Sequence, residues 1–162
     1  MKLLHKILLF SFMFLVSLES YSSEKNPTVN LRTLSYEMAH KIVLAAVEEC
    51  TKKGYKVSAA VVDRNGNLAA FLRNPLSGPH TIKVSQRKAF SSATLQAATS
   101  QMSSRADLNF ASDILLIVGG VPINFGGNFY GGVAVAGAEP KDDEKCAKAG
   151  IAAISETMEF AE

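Results

Sequence analysis

Residues 56–73 allow few structural solutions. Lys56 to Val62 is rich in valine and alanine, Leu68 to Arg73 is largely apolar, and Asp63-Arg64-Asn65-Gly66-Asn67 lies between them. Asn-Gly tolerates the positive φ of a tight turn, so two strands joined as a hairpin are predicted. Asn74 to Pro79 holds two prolines and a glycine and cannot be regular. Any fold for this chain must therefore turn a hairpin and then leave it through an irregular loop.

The flanking segments supply helices. Ser35 is a suitable N-cap, with Glu37 in the first turn, where the helix dipole favours an acid. Ala39, Ile42, Val43, Ala46, Val47 and Cys50 recur at helical spacing, and Gly54 is a natural stop, so a helix spans about Tyr36 to Lys53. A second is predicted from Thr81 to about Ala98, with a small-residue face of Ala89, Ser92, Ala93 and Ala97. Thr99-Ser100 caps a short third one reaching about Leu108. Ile114 to Val118 is wholly apolar and reads as a buried strand. A strand after Gly119-Gly120, a glycine turn at Asn124 to Asn128 and a last strand from Phe129 to Ala136 follow. Gly131-Gly132 marks a bulge or a close approach to the backbone. Pro140 opens a final helix to about Phe160, with Asp142, Asp143 and Glu144 in its first turn. Hairpins and helices in this order predict an α+β fold, an antiparallel sheet with helices on its faces.

The chain has 162 residues, enough for one domain. Lys2 and Lys6, the apolar run Ile7 to Leu18 and the small residues Ser20 and Ser22 form a secretory signal pattern over residues 1–22. An N-terminal membrane anchor is the alternative, although the run is short for a span of roughly 20 residues. Residues 23–33 read as a frayed polar tail, and residues 34–162 as the domain. Beyond residue 22 the balance is 15 basic to 14 acidic side chains, and no basic run tracks phosphates, which argues against nucleic acid. The expected location is periplasmic or secreted. In such a compartment Cys50 and Cys146 are open to pairing; two buried thiols are the other reading.

Several chemistries lack their residues. There is no Cys-x-x-Cys-His for covalent haem and no histidine pair at helical metal spacing. Beyond the predicted signal segment, which takes His5 with it, a nucleophilic serine or cysteine would have only His40 or His80 as its base.

In order and spacing, several segments resemble the HbpS/GlcG-type haem-binding family. They are Val61 to Asn67, Arg73, Gly78-Pro79, Arg87-Lys88-Ala89-Phe90, Gly119-Gly120-Val121-Pro122, Gly131 to Gly137 and Asp143 to Gly150, within Leu34 to Glu156. The resemblance implies a profilin-like sandwich with about five antiparallel strands, a homo-oligomer, and haem as the cofactor. If the terminal helices of that architecture run antiparallel, the ends carrying Cys50 and Cys146 meet and a disulfide would join them; a free buried cysteine at position 146 suits the family as well.

Haem needs an apolar slot, an iron ligand and cations for its propionates. The residues proposed for it are Arg73 and Lys88 as cations, with Lys88 retained in the family pattern, and His80 and Thr81 as ligands. His80 is also the one candidate metal ligand. Arg73 equally suits an ordinary salt bridge, and a lone histidine is often only a helix residue. His40 is read as structural. The family's weak oxygen ligation also admits Tyr130, Ser103 or Ser104, and Met102 is a further possibility. Phe125, Phe129 and Tyr130 wall a pocket or an oligomer interface, with core packing the default for apolar side chains in a strand.

The expected function is a secreted haem-binding protein in haem or iron handling or redox sensing. The alternatives are an enzyme or accessory domain for a small carboxylated or corrinoid-type ligand, and a ligand-free interaction protein.

Overall fold

The computed structural model describes residues 26–160. The chain divides into two units, Met1–Leu31 and Arg32–Glu162. In the first, the Thr28 hydroxyl donates to the Asn26 side chain at 2.8 Å. The predicted signal segment lies outside the described residues. The second unit carries α1 (Tyr36–Lys52), β1 (Ser58–Asp63), β2 (Leu68–Arg73), α2 (His80–Leu95), β3 (Gly120–Phe125), β4 (Asn128–Ala136), α3 (Pro140–Ala152) and α4 (Ser155–Glu159). No helix among the described residues is long and apolar enough to cross a membrane.

The strands form one antiparallel sheet in the order β2-β1-β4-β3. Helices α1 and α3 cover one face and α2 the other. Alternation sorts the strand residues: Ala59, Val61, Val133 and Val135 pack towards α1 and α3, while Ala60, Val62 and Ala134 pack towards α2. Helix α1 buries Ala39, Ile42, Val43, Ala46, Val47 and Cys50, the stripe its sequence predicts, and the Ser35 hydroxyl accepts from the Met38 N–H at 3.4 Å.

Along the α1–α3 seam, Gly150 lies against Ile42 and Ala46, and Cys50 is bonded to Cys146 across a Cα separation of 5.6 Å. The two helices are thus antiparallel, and the ends that carry the cysteines meet.

Helix α2 sits almost on the strand backbone. A Cβ on Gly132 would lie 2.5 Å from the Ala89 carbonyl oxygen, and one on Gly120 would lie 2.5 Å from that of Lys88. Glycine at both positions permits an approach that any side chain would block.

Three elements differ from their sequence expectation. Ile114 and Leu116 are buried, but residues 114–118 form no strand, so the sheet has four strands rather than five. Side chains of α2 take the bonds that a ladder would have made. The Leu115 N–H donates to the Ser91 hydroxyl at 2.7 Å, and Arg87 Nη2 donates to the Ile114 carbonyl at 3.0 Å. The short third helix is two 3₁₀ turns, Thr99–Gln101 and Ala106–Phe110. The last helix breaks after Ala152, and the second piece brings buried Met158 to the core.

A bulge shapes β4. Ile123 pairs with Gly131 and Asn124 with Phe129, so Tyr130 is the extra residue. Gly131 has φ +132°, and a Cβ there would lie 2.1 Å from the Val62 carbonyl oxygen. Phe129 packs on the α2 face and Tyr130 on the α1 face. In a regular strand successive side chains also alternate, but the bulge puts Tyr130 on the same side as Val133.

Candidate functional site

The hairpin exit and the loop to α2 gather three of the four side chains read from the sequence. Arg73 ends β2, and its Nη2 donates to the Ser77 carbonyl. Its Nε is buried with no partner among the described residues. The Thr81 hydroxyl lies 2.7 Å from those of Ser58 and Ser77 and donates to the Gly78 carbonyl at 2.7 Å. Thr81 is buried, and this hydroxyl chain occupies its oxygen. His80 opens α2 and is exposed, with its ring folded against Gly78.

Lys88 lies two turns further along the same face of α2. It is 2 % exposed, and its Nζ donates to Asp143 at 2.8 Å and to the Val135 carbonyl at 3.1 Å. The other Asp143 oxygen accepts the Ala138 N–H at 3.0 Å. Burial pushes the Asp143 carboxyl above its ordinary range, against the attraction of the Lys88 ammonium. Lys88 therefore joins the helix of one face to the helix of the other, and its donors point at protein acceptors. The sequence gives no hint of this pairing, because its partner lies 55 residues away.

A larger cleft lies elsewhere. It has a volume of about 540 Å³, between the residues that lead into α1 and helix α4, and is lined by Arg32, Leu34, Met38, Tyr130, Thr157 and Met158. A smaller depression of about 120 Å³ shares Leu34 and Tyr130 and reaches Val61 and Ala69. Tyr130 is 5 % exposed, and its ring is tilted against that of Phe125 at 6.5 Å between centroids. Phe129, on the opposite face, has the Arg64 guanidinium 5.7 Å from its centroid. The cleft thus combines apolar walls, two thioethers, one phenol and, at its rim, an exposed guanidinium.

Of these residues only Tyr130 was a candidate from the sequence. Arg32 falls in the predicted tail, and Met38 and Met158 read as helix residues with no signal of a shared cleft. Their meeting depends on α1 and α4 converging from opposite ends of the domain. Ser103 and Ser104 are exposed, with the Ser103 hydroxyl donating to the Ser100 carbonyl, and His40 is exposed as well.

Residues 34–152 match the family model of the haem degrading protein HbpS-like family. Protein GlcG of Escherichia coli K12 is 34 % identical over 108 residues, 64 % of this chain and 81 % of that protein. Among solved structures, HbpS of Streptomyces reticuli, a double mutant, is 36 % identical with a TM-score of 0.75, covering 79 % of this chain and 91 % of that one. A complex of PduOC with haem has the same fold at 23 % identity and a TM-score of 0.71, covering 76 % and 96 %. With residues 34–152 matched and the fold shared, this chain belongs to the family described as haem degrading protein HbpS-like.

Proposed function

We propose that this protein binds haem in the cleft between the start of α1 and helix α4. The observation that carries the reading is the cleft itself: apolar walls from Leu34, Met38 and Met158, donor atoms on its lining, and the Arg32 guanidinium at its rim. Family membership supports the choice of ligand, as does the haem complex of the related fold. A flat, mostly apolar macrocycle suits such walls, and a guanidinium suits a propionate. Bound haem would supply an iron centre; the residues of the chain would hold its ring, exclude water from one side and pair its carboxylate.

The site around Arg73, His80, Thr81 and Lys88 is the second location. It is favoured by the exposed His80 imidazole and by the buried Arg73 Nε, which has no partner among the described residues. Titration of the purified protein with haemin separates the two. Saturable growth of a Soret band, weakened by Arg32→Ala and Met158→Ala but unchanged by His80→Ala, supports the α1–α4 cleft. Loss of binding in His80→Ala or Arg73→Ala moves the site to the hairpin exit. No saturable binding to the wild type overturns the reading.

Secretion and a role in haem or iron handling, or in redox sensing, complete the proposal. The basic start and apolar run of residues 1–22 support export, and the buried Cys50–Cys146 bridge suits an oxidising compartment. A homo-oligomer is proposed as well, supported by exposed Leu68 on the edge strand β2 and exposed Leu76 beyond it. Light scattering that gives a monomer mass across the micromolar range would exclude it.

A further inference from the structure

We infer that Tyr130 is the iron ligand, binding ferric haem through its phenolate oxygen; this rests on the haem reading above. A tyrosine buried as deeply as Tyr130 normally directs its hydroxyl to a partner. Tyr130 is 5 % exposed, yet its hydroxyl has no hydrogen-bond partner among the described residues. The oxygen is not sealed inside the core either: among the described residues, the buried side-chain polar atoms without partners are Nε of Arg73 and Nε of Arg87. Tyr130 lines both the cleft and the smaller depression beside it.

The other donors of the cleft are weaker competitors for ferric iron. Met38 and Met158 offer neutral, soft thioethers. The Ser35 hydroxyl is engaged by the Met38 N–H. The hydroxyls of Thr33 and Thr157 are far less acidic than a phenol. Tyr130 alone among the lining residues of the cleft supplies a phenol, and tyrosinate is an established haem ligand.

The step is a ligand exchange. The phenolic O–H bond breaks, an O–Fe bond would form, the water or hydroxide that free ferric haem carries in solution would leave with the proton to solvent, and the iron remains ferric. A hard anionic oxygen favours the ferric over the ferrous state, so the bound group is held when oxidised and loosened on reduction. The backbone bulge is what makes this possible, because it turns residue 130 out of the strand alternation and into the cleft.

Haemin titrations of the wild type, Tyr130→Phe and Tyr130→His, followed by absorption and resonance Raman spectroscopy, test the inference. The wild type is expected to show phenolate-to-iron charge transfer and phenolate ring modes. Tyr130→Phe is expected to lose both and to bind at least about tenfold more weakly. Tyr130→His is expected to bind with an imidazole-type spectrum. The melting temperature of Tyr130→Phe should match the wild type, since the missing oxygen has no partner among the described residues. Dithionite should release haem from the wild type. If Tyr130→Phe binds haem with the wild-type spectrum, the ligand assignment is overturned and the haem reading stands. If the wild type shows no saturable binding, both are overturned.

Discussion

On one face of the sheet, Ile42, Val43, Val47 and Ile154 interlock with Val61, Val133 and Val135. On the other, Ala89 and Ala93 of α2 lie against Ala60, Ala134 and the bare backbone of Gly132. The first face is held by branched side chains and a covalent link, and its layer is thick enough to part into a cleft at one end. The second is held by close backbone approach and by one buried ion pair, Lys88 with Asp143. Branched side chains yield a little when altered, whereas a helix seated on glycine has no slack. The difference explains why the open cleft lies on the aliphatic face, and why a charged residue anchors the thin one.

The anchor gives the largest expected effect. Lys88→Met leaves Asp143 buried and unpaired, and should cost about 3–5 kcal/mol in urea unfolding. The double variant Lys88→Met with Asp143→Leu should regain much of that loss; if it does not, the pair contributes more than mutual neutralisation. On the aliphatic face, replacing Cys50 and Cys146 together by alanine should cost about 2–4 kcal/mol. Reduction of the wild type should match it, and identical stability with and without reductant would remove the covalent link from the comparison.

The packing itself comes next. Gly132→Ala should cost about 1–3 kcal/mol, because α2 must rise from the sheet. Ile42→Val on the other face should cost about 0.5–1.5 kcal/mol. A reversed order in equilibrium unfolding would break the contrast between a rigid face and a yielding one. The smallest effect concerns the rim of the aliphatic face, where the Tyr55 hydroxyl donates to Asp142 at 3.0 Å. Lys145 first, and Tyr55 second, hold the Asp142 carboxyl below its ordinary range. A carboxyl lowered by folding stabilises the protein above its unfolded pKa, and that contribution is lost as pH falls through the folded value. Tyr55→Phe should raise the Asp142 titration midpoint in NMR and leave less stability to be lost on acidification.

The hairpin, the α1 stripe and the Ser35 cap were legible because each depends on neighbours within a few residues. The run Ile114 to Val118 was misleading for a physical reason. An apolar run reports burial, not how its backbone is satisfied, and here Ser91 and Arg87 satisfy it from another element. The break after Ala152 has no glycine or proline at that point to announce it. The site was legible only in part. Arg73 and Thr81 do meet through Ser77, but the role of Lys88 depends on a carboxylate from across the sheet. The α1–α4 cleft draws its lining from three distant segments, and no local pattern shows that Arg32, Tyr130 and Met158 share a wall.

The single extra residue in β4 separates two design problems that strands usually combine. Elsewhere in the sheet, a change of side chain is constrained by both its ladder partner and its layer. At position 130 the ladder is already interrupted, so the residue is free of a cross-strand mate. Substitution there can change the chemistry offered to a ligand while the register on either side stays fixed, whereas deleting one residue at the bulge would withdraw the position itself. Within this fold, relatives can thus diversify by exchanging one side chain, and the sheet need not be rebuilt for each new ligand.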